Sequence, residues 1–301
     1  MFINRIVVVG SSNTDMVIKT SKLPVPGETI LGGKFFMNPG GKGANQAVAA
    51  ARLGGKVSFI AKTGDDVFGK QARQLFESEN INTNYLVTDT GHPSGVALIT
   101  VDSKGENCIV VAPGSNSYLI QSDIDHAREE ILKSDIVLMQ LEIPLETVVY
   151  VANIAFAAGK KVILNPAPAL QITDELLSKL YLITPNETEA ELISGIAVKD
   201  LDSAILSARN LYDRGVKVVI ITMGSKGALL FTGKEAKLIP SLKVEAVDTT
   251  AAGDVFNGAI AVAISEGVDL EKAVEFACKA AAISVTRMGA QASAPYRKEI
   301  K

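Results

Sequence analysis

The sequence predicts an α/β protein with a mostly parallel central sheet covered by helices, carrying a small antiparallel β lid. Three observations predict it. From about Ser122 onward, short β-branched runs alternate with helical patterns, the βαβα rhythm of a parallel sheet. The first 115 residues break that rhythm with period-2 segments that return in two pairs. Of the 301 residues 47% are apolar and 21% charged, with no repeat, low-complexity tract or linker to divide them, so one large core with an appendage fits the length.

The elements follow in order. Residues 6–9 are an apolar β-branched run, a buried first strand that ends at Gly10. Residues 15–19 and 29–36 alternate as strands, and residues 95–101 and 107–111 do the same around the turn-rich stretch Asp102-Ser103-Lys104-Gly105-Glu106. These pairs, about residues 15–37 and 95–112, predict a lid projecting from a single domain of residues 1–301. Between them lie a helix over 44–53, a strand over 57–61 and a helix around 69–78. The later strands are expected at 135–139, 161–164, 181–184 and 216–222, alternating with helices at 145–158, 174–180 and 204–214. Two alanine-rich helices, 253–266 and 270–286, can pack closely near the C-terminus.

Composition excludes several functions. With 30 Lys+Arg against 33 Asp+Glu, a formal charge of −3 and no long basic block, nucleic acid and membrane surfaces are poor partners, and small molecules become the default. Cys108 and Cys278 lie far apart and His92 and His126 have no ligand spacing, which argues against a disulfide framework and a structural zinc site. The first strand is too short for a signal peptide, and no stretch approaches about 18 uninterrupted apolar residues. The expected location is cytoplasmic. No G-x-x-x-x-G-K-[ST] occurs, no G-x-G-x-x-G follows the first strand, and no G-x-S-x-G elbow is present.

Two glycine-containing elements each precede a helix. In Asn38-Pro39-Gly40-Gly41-Lys42-Gly43-Ala44-Asn45-Gln46, glycines allow close backbone approach, and a lysine with two amides suits a polyhydroxylated or anionic ligand. Alone, this is equally a flexible turn with a solvated lysine. In Asp248-Thr249-Thr250-Ala251-Ala252-Gly253-Asp254, small residues open a helix whose first N–H groups stabilise negative charge. Alone, Asp254 reads more readily as a helix-favouring first-turn acid than as a catalytic one.

The combination decides between these readings. Gly10-Ser11-Ser12-Asn13-Thr14-Asp15 follows the first strand, then come the glycine-lysine run, Asn186-Glu187-Thr188-Glu189, Thr222-Met223-Gly224-Ser225-Lys226-Gly227 and the aspartate motif. This order resembles the ribokinase-type (PfkB) family of carbohydrate kinases from Arg5 to Arg297. The resemblance implies a three-layer α/β/α fold with a β lid and ATP-dependent phosphorylation of a sugar hydroxyl. Within the family, Gly-Gly-Lys-Gly-Ala-Asn-Gln-Ala-Val-Ala-Ala and Asn165-Pro166-Ala167-Pro168 point to the 5-hydroxyl of D-ribose. Deoxyribose, fructose or a nucleoside as acceptor, or a catalytically inactive sugar-binding regulator, are the alternatives.

The roles below are what the resemblance implies. Asn13, Thr14, Asp15, Gly41, Lys42, Gly43, Ala44, Asn45 and Glu142 would bind the sugar, and a carboxylate can accept two hydroxyl hydrogens at once. Asp254 would be the general base, with the backbone N–H groups of Ala251, Ala252 and Gly253 as an anion hole. The nucleotide would meet Asn186, Thr222, Met223, Gly224, Ser225, Lys226, Gly227, Gly253 and Asp254, with Cys278 near the adenine. Glu189 would help hold Mg²⁺ through water. K⁺ would lie at Asp248, Thr250, Ser284, Arg287, Gly289 and Ser293. Ala251 stands where the family commonly has glycine. The lid would exclude water and pair two copies into a homodimer.

Overall fold

The first strand shows why the sheet is buried on both faces. In β1 (Arg5–Val9) the side chains of Ile6 and Val8 enter one core and those of Val7 and Val9 the other. A strand with no polar face is stable only between two helical layers. The computed structural model describes residues 5–300; residues 1–4 and 301 of the expected domain lie outside the described residues.

After β1 the chain enters the lid through β2 (Asn13–Lys19) and returns on β3 (Lys34–Gly40). It then forms α1 (Lys42–Arg52), β4 (Lys56–Gly64), α2 (Val67–Ser78) and β5 (Leu86–Asp89). A second excursion gives β6 (Gly95–Val101) and β7 (Asn107–Ala112). The alternating part runs α3 (Gln121–His126), α4 (Arg128–Lys133), β8 (Ile136–Met139), α5 (Leu145–Ala157), β9 (Lys161–Leu164), α6 (Asp174–Leu177) and β10 (Leu182–Ile183). It continues through α7 (Glu187–Ser194), α8 (Leu201–Asp213), β11 (Val218–Thr222), β12 (Ala228–Phe231) and β13 (Ala236–Ile239), and ends in α9 (Ala252–Ser265) and α10 (Leu270–Ser284).

Among the described residues the main sheet has nine strands in the order β13-β12-β11-β10-β9-β8-β1-β4-β5. Every pairing from β11 across to β5 is parallel, and β12 and β13 extend it as an antiparallel hairpin. Helices α1, α2, α9 and α10 cover one face and α3 to α8 the other. The expected three layers are present. Sequence periodicity passed over β5, α3, α4, α7 and the β12–β13 hairpin, all of eight residues or fewer and too short for a clear period.

The lid sheet has the order β3-β2-β6-β7. The two expected antiparallel pairs are β2–β3 and β6–β7, joined through a parallel seam between β2 and β6. Both strands leave the body in the same direction, which fixes that seam. Strand β3 runs later than its expected span because its register sets Gly40 opposite Asn13, carrying pairing up to the glycine turn. Of the expected apolar lid residues, Val17 is buried, Val96 and Ile99 are half-buried, and Phe35, Ile109 and Val111 are exposed.

Helices α1 and α9 meet through small residues. A Cβ on Gly258 would lie 2.7 Å from Ala49 Cβ and 2.8 Å from the Ala50 nitrogen, so only glycine permits this approach. One turn earlier on α9, the same closeness brings Asp254 against Asn45 and Gln46 of α1.

Candidate active site

The site lies where a parallel α/β sheet favours ligands, at the carboxyl ends of its strands. Residues 10–13 follow β1, 140–142 follow β8, Asn165 follows β9, Thr184 to Asn186 follow β10, and Thr222 to Gly227 end β11. The N-termini of α1 and α9 meet there, adding two sets of backbone N–H donors.

On the sugar side, Gly41 has φ of +88°, and a Cβ there would come within 2.7 Å of the Asn13 nitrogen. The turn therefore presses α1 against the base of the lid. Glu142 Oε2 accepts from Ser11 Oγ at 2.5 Å and from the Lys42 backbone N–H at 2.9 Å, joining β1, α1 and the β8 loop. Asn116 Nδ2 donates to Asn13 Oδ1 at 2.8 Å and also to the Ser12 and Pro113 carbonyls, leaving the Asn13 amide hydrogens for a ligand. Asn116 thus ties the start of β2 to Pro113, where the chain returns from β7.

Electrostatically the site is one ammonium among four carboxylates. Burial works against the charge on Lys42, but Asp254, Glu142, Glu189 and Asp15 overcome it and hold its pKa above the ordinary lysine value. Burial, then Glu142 and Asp254, push Asp15 up to about 6, with Lys42 opposing. Asp254 is only 5% exposed. Burial raises its pKa too, against the charge of Lys42 and hydrogen bonds from Asn45 and Gln46. Asn45 Nδ2 donates to Asp254 Oδ2 and Gln46 Nε2 to Oδ1, each at 2.9 Å. Asn45 Oδ1 is buried without a partner, an acceptor that a sugar hydroxyl would satisfy.

On the other side of Lys42 and Asp254 opens a cavity of about 740 Å³. Its walls include Asn186, Glu189, Thr222, Gly224, Ser225, Gly227, Ala251, Ala252 and Gly253. Cys278, Ala281, Ala282, Val244 and Val285 give it an apolar slot suited to a flat base. Burial pushes the Cys278 thiol to about 11, so it is a packing surface and not a nucleophile. Met223 is turned into the core, and the Lys226 ammonium sits 3.5 Å from Glu187 instead of lining the cavity. Lys243, which sequence reading passed over, is part of the wall.

The α9 start is strained where it matters. Ala251 takes φ of +60°, the left-handed region that glycine occupies freely, which explains the glycine common at this position in the resemblance. The Ala252 N–H makes only a long 3.3 Å bond to the Thr249 carbonyl, and the space beside Gly253 is open. An anion can therefore displace a weak partner.

The cation residues divide. Glu189 caps α7 reciprocally with Asn186, using Oε2. Burial raises its pKa, so a divalent cation nearby would relieve a desolvated carboxylate. Asp248 accepts from the Thr250 N–H and the Gly289 N–H, each at 2.9 Å, bringing three of the expected K⁺ residues together. Those bonds, working against burial, hold Asp248 below the ordinary range. The Ser284 and Ser293 hydroxyls donate to the carbonyls three residues before them, and the Arg287 side chain pairs with Glu299. What these three offer a cation is therefore lone pairs and carbonyls. The donor set is oxygen-rich, as a hard cation requires.

This arrangement can hold a polyhydroxylated molecule on one side of Asp254 and a nucleotide on the other. The sequence signature of the pfkB family carbohydrate kinases matches residues 3–297. The chain belongs to that family. It is 46% identical to a ribokinase of Haemophilus influenzae, over 97% of this chain and 95% of the relative. It is also 41% identical to a deoxyribokinase of Salmonella typhi, over 96% and 95%. The structure of an Arabidopsis thaliana ribokinase complexed with ribose and ATP superposes with a TM-score of 0.92 at 34% identity, covering all of this chain and 98% of that one. Within this pfkB fold, Asp15, Asn45 and Glu142 of the expected sugar residues gather around Lys42 and Asp254. Sequence reading gave no role to Ser11, Gln46, Asn116, Gln140 or Asn257. Ser11 and Gln46 stood in motifs that could have drawn attention to them; Asn116, Gln140 and Asn257 did not.

Proposed function

We propose that this chain is an ATP-dependent kinase that phosphorylates D-ribose on its 5-hydroxyl. The observation that carries the proposal is Asp254, a desolvated carboxylate with both oxygens held by amides, set between the hydroxyl-binding residues and the nucleotide cavity. Phosphoryl transfer asks mainly for positioning and charge stabilisation. Asn13, Asp15, Asn45 and Glu142 orient the sugar, and Lys42 offsets the charge of the surrounding acids. Asp254 takes the proton of the attacking hydroxyl as its oxygen bonds to the γ-phosphorus and ADP leaves. The first N–H groups of α9 receive the charge of the transferring group. Mg²⁺, held through water by Glu189, would neutralise the β- and γ-phosphates, and K⁺ at Asp248, Thr250 and Gly289 would brace the loop leading into α9.

Because β2 carries Asn13 and Asp15, the lid that covers the sugar also binds it, which ties water exclusion to recognition. Strand β7 is exposed along its whole length, and with Phe35, Met37 and Leu98 it leaves the lid a large apolar surface. A second copy of the chain covers it in a homodimer. A cytoplasmic site of action fits an enzyme supplied with ATP.

The deoxyribokinase relative favours a second reading, 2-deoxyribose as acceptor. Sugar-dependent ADP formation across ribose, 2-deoxyribose, fructose and a nucleoside tests both. The highest kcat/KM with ribose supports the proposal; a higher value with 2-deoxyribose supports the second reading, and no sugar-dependent ADP with any of them leaves a binding protein.

A further inference from the structure

Behind Asp254, and reaching the wall of the nucleotide cavity at Asn165, Thr184 and Asn257, lies a chain of buried carboxamides. Gln46 is completely buried; its Nε2 donates to Asp254 Oδ1 at 2.9 Å and Asn165 Oδ1 at 3.0 Å, and its Oε1 accepts from Gln140 Nε2 at 2.6 Å. Asn165 is fixed in turn by donating Nδ2 to the Thr184 carbonyl at 3.2 Å. Thr184 Oγ1 donates to Asn257 Oδ1 at 2.6 Å, and Asn257 Nδ2 returns to the Gly253 carbonyl at 2.8 Å. The loops after β8, β9 and β10 are thereby tied to the first turn of α9.

Donor and acceptor matching leaves Gln46 one orientation. Turning its amide over would set oxygen against the Asp254 and Asn165 oxygens, and NH₂ against the NH₂ of Gln140. At the far end Gln140 Oε1 is buried without a partner, an energetic penalty that an apolar core would avoid. A network kept despite that penalty points to orientation as its purpose.

We propose that Gln46 is a positioning residue for phosphoryl transfer: its carboxamide, locked by Gln140 and Asn165, fixes Asp254 in the rotation that presents its remaining lone pairs to the acceptor hydroxyl. This rests on Asp254 being the base. Gln46 is buried behind the carboxylate and does not reach the sugar, so its effect falls on kcat more than on KM. The charged groups around Asp254 are Lys42, Glu142, Asp15 and Glu189, with the amides of Asn45 and Gln46 against its oxygens. Removing the Gln46 donor leaves the four charges unchanged and withdraws one group that favours the ionised form.

The test is kcat and sugar KM from about pH 5 to about pH 9 for Gln46→Met, which keeps the length without the donor, and Gln46→Glu, which keeps the shape. Gln46→Met should lower kcat near neutral pH by about ten- to a hundredfold, the rate equivalent of one hydrogen bond to a charged group. The acid limb of kcat should move to higher pH and KM should stay within about threefold. Gln46→Glu should move the limb further, because a second carboxyl faces Asp254. If the methionine variant does not fold, the isosteric glutamate variant carries the same test. Wild-type kcat and an unmoved limb in a folded variant overturn the proposal, as does a loss equal at every pH and matched by KM. Asp254→Asn is measured beside them: wild-type kcat there means the reading of Asp254 as base has failed, while an inactive Asp254→Asn with wild-type-like Gln46 variants removes only the role of Gln46.

Discussion

Lowering the pH from about 7.5 to about 5 should weaken sugar binding about tenfold, through Asp15. Burial beside Glu142 and Asp254 sets its pKa at about 6, against 3.8 for an ordinary aspartate. If the sugar needs the ionised form to accept its hydroxyls, the apparent Kd grows by the factor 1 + 10^(pKa − pH), about 11 at pH 5 and close to 1 at pH 7.5. The same shift acts on folding with a definite sign. The native state holds a proton that the unfolded chain has already released, so stability falls as pH rises from about 4 through about 6 and is then level. The shift of about two units corresponds to at most about 3 kcal/mol. Asp15→Asn should therefore make the free protein more stable near pH 7.5 and change it little near pH 4, while weakening sugar binding and removing its pH dependence. Titration calorimetry with ribose at both pH values, paired with urea unfolding, measures each part. A wild-type ribose Kd equal at pH 5 and pH 7.5, or a stability difference that ignores pH, would refute the electrostatic account of Asp15.

Three further outcomes follow from named contacts. Replacing Na⁺ by K⁺ at constant ionic strength should raise kcat with little change in ATP binding, and Asp248→Ala should remove the response; equal rates in the two salts would show that the oxygens near Asp248 and Gly289 hold no activating ion. Light scattering at micromolar concentration should give twice the chain mass, and Val110→Lys on exposed β7 should return a monomer; a monomeric wild type would mean that the lid surface has another use. Gly258→Ala should force α1 and α9 apart, lowering stability by about 1–3 kcal/mol and kcat with it; unchanged stability and rate would show that the close helix contact does not set the position of Asp254.

The parts of this protein legible in its sequence are those written in consecutive residues. The apolar run of β1 demands burial on both faces, Gly41 marks a turn only glycine can make, and Asp254 opens α9 behind small residues. What stayed hidden depends on partners far away along the chain. Asn116 meets Ser12 and Asn13, Ser11 meets Glu142, and Gln46 meets Asp254 and Gln140, and no local period or motif spacing encodes such pairings. Met223 and Lys226 show the converse limit: a motif sets six residues side by side, but the turn after β11 sends Met223 into the core and leaves Lys226 paired with Glu187, away from the cavity wall. The parallel seam of the lid was hidden for a related reason, since strand periodicity carries no direction.

Transfer of the γ-phosphoryl group of ATP to ribose by Asp254→Asn, with both substrates saturating, tests the central claim most directly. Loss of a buried general base should lower kcat by about 10²–10⁴-fold. Ribose should still bind, because Asn13, Asp15 and Glu142 remain, and the Asn45 carboxamide can turn over so that its Oδ1 accepts from the new amide. A variant that binds ribose but barely turns over is the predicted result; one that keeps near wild-type kcat would contradict the assignment of Asp254 as the base.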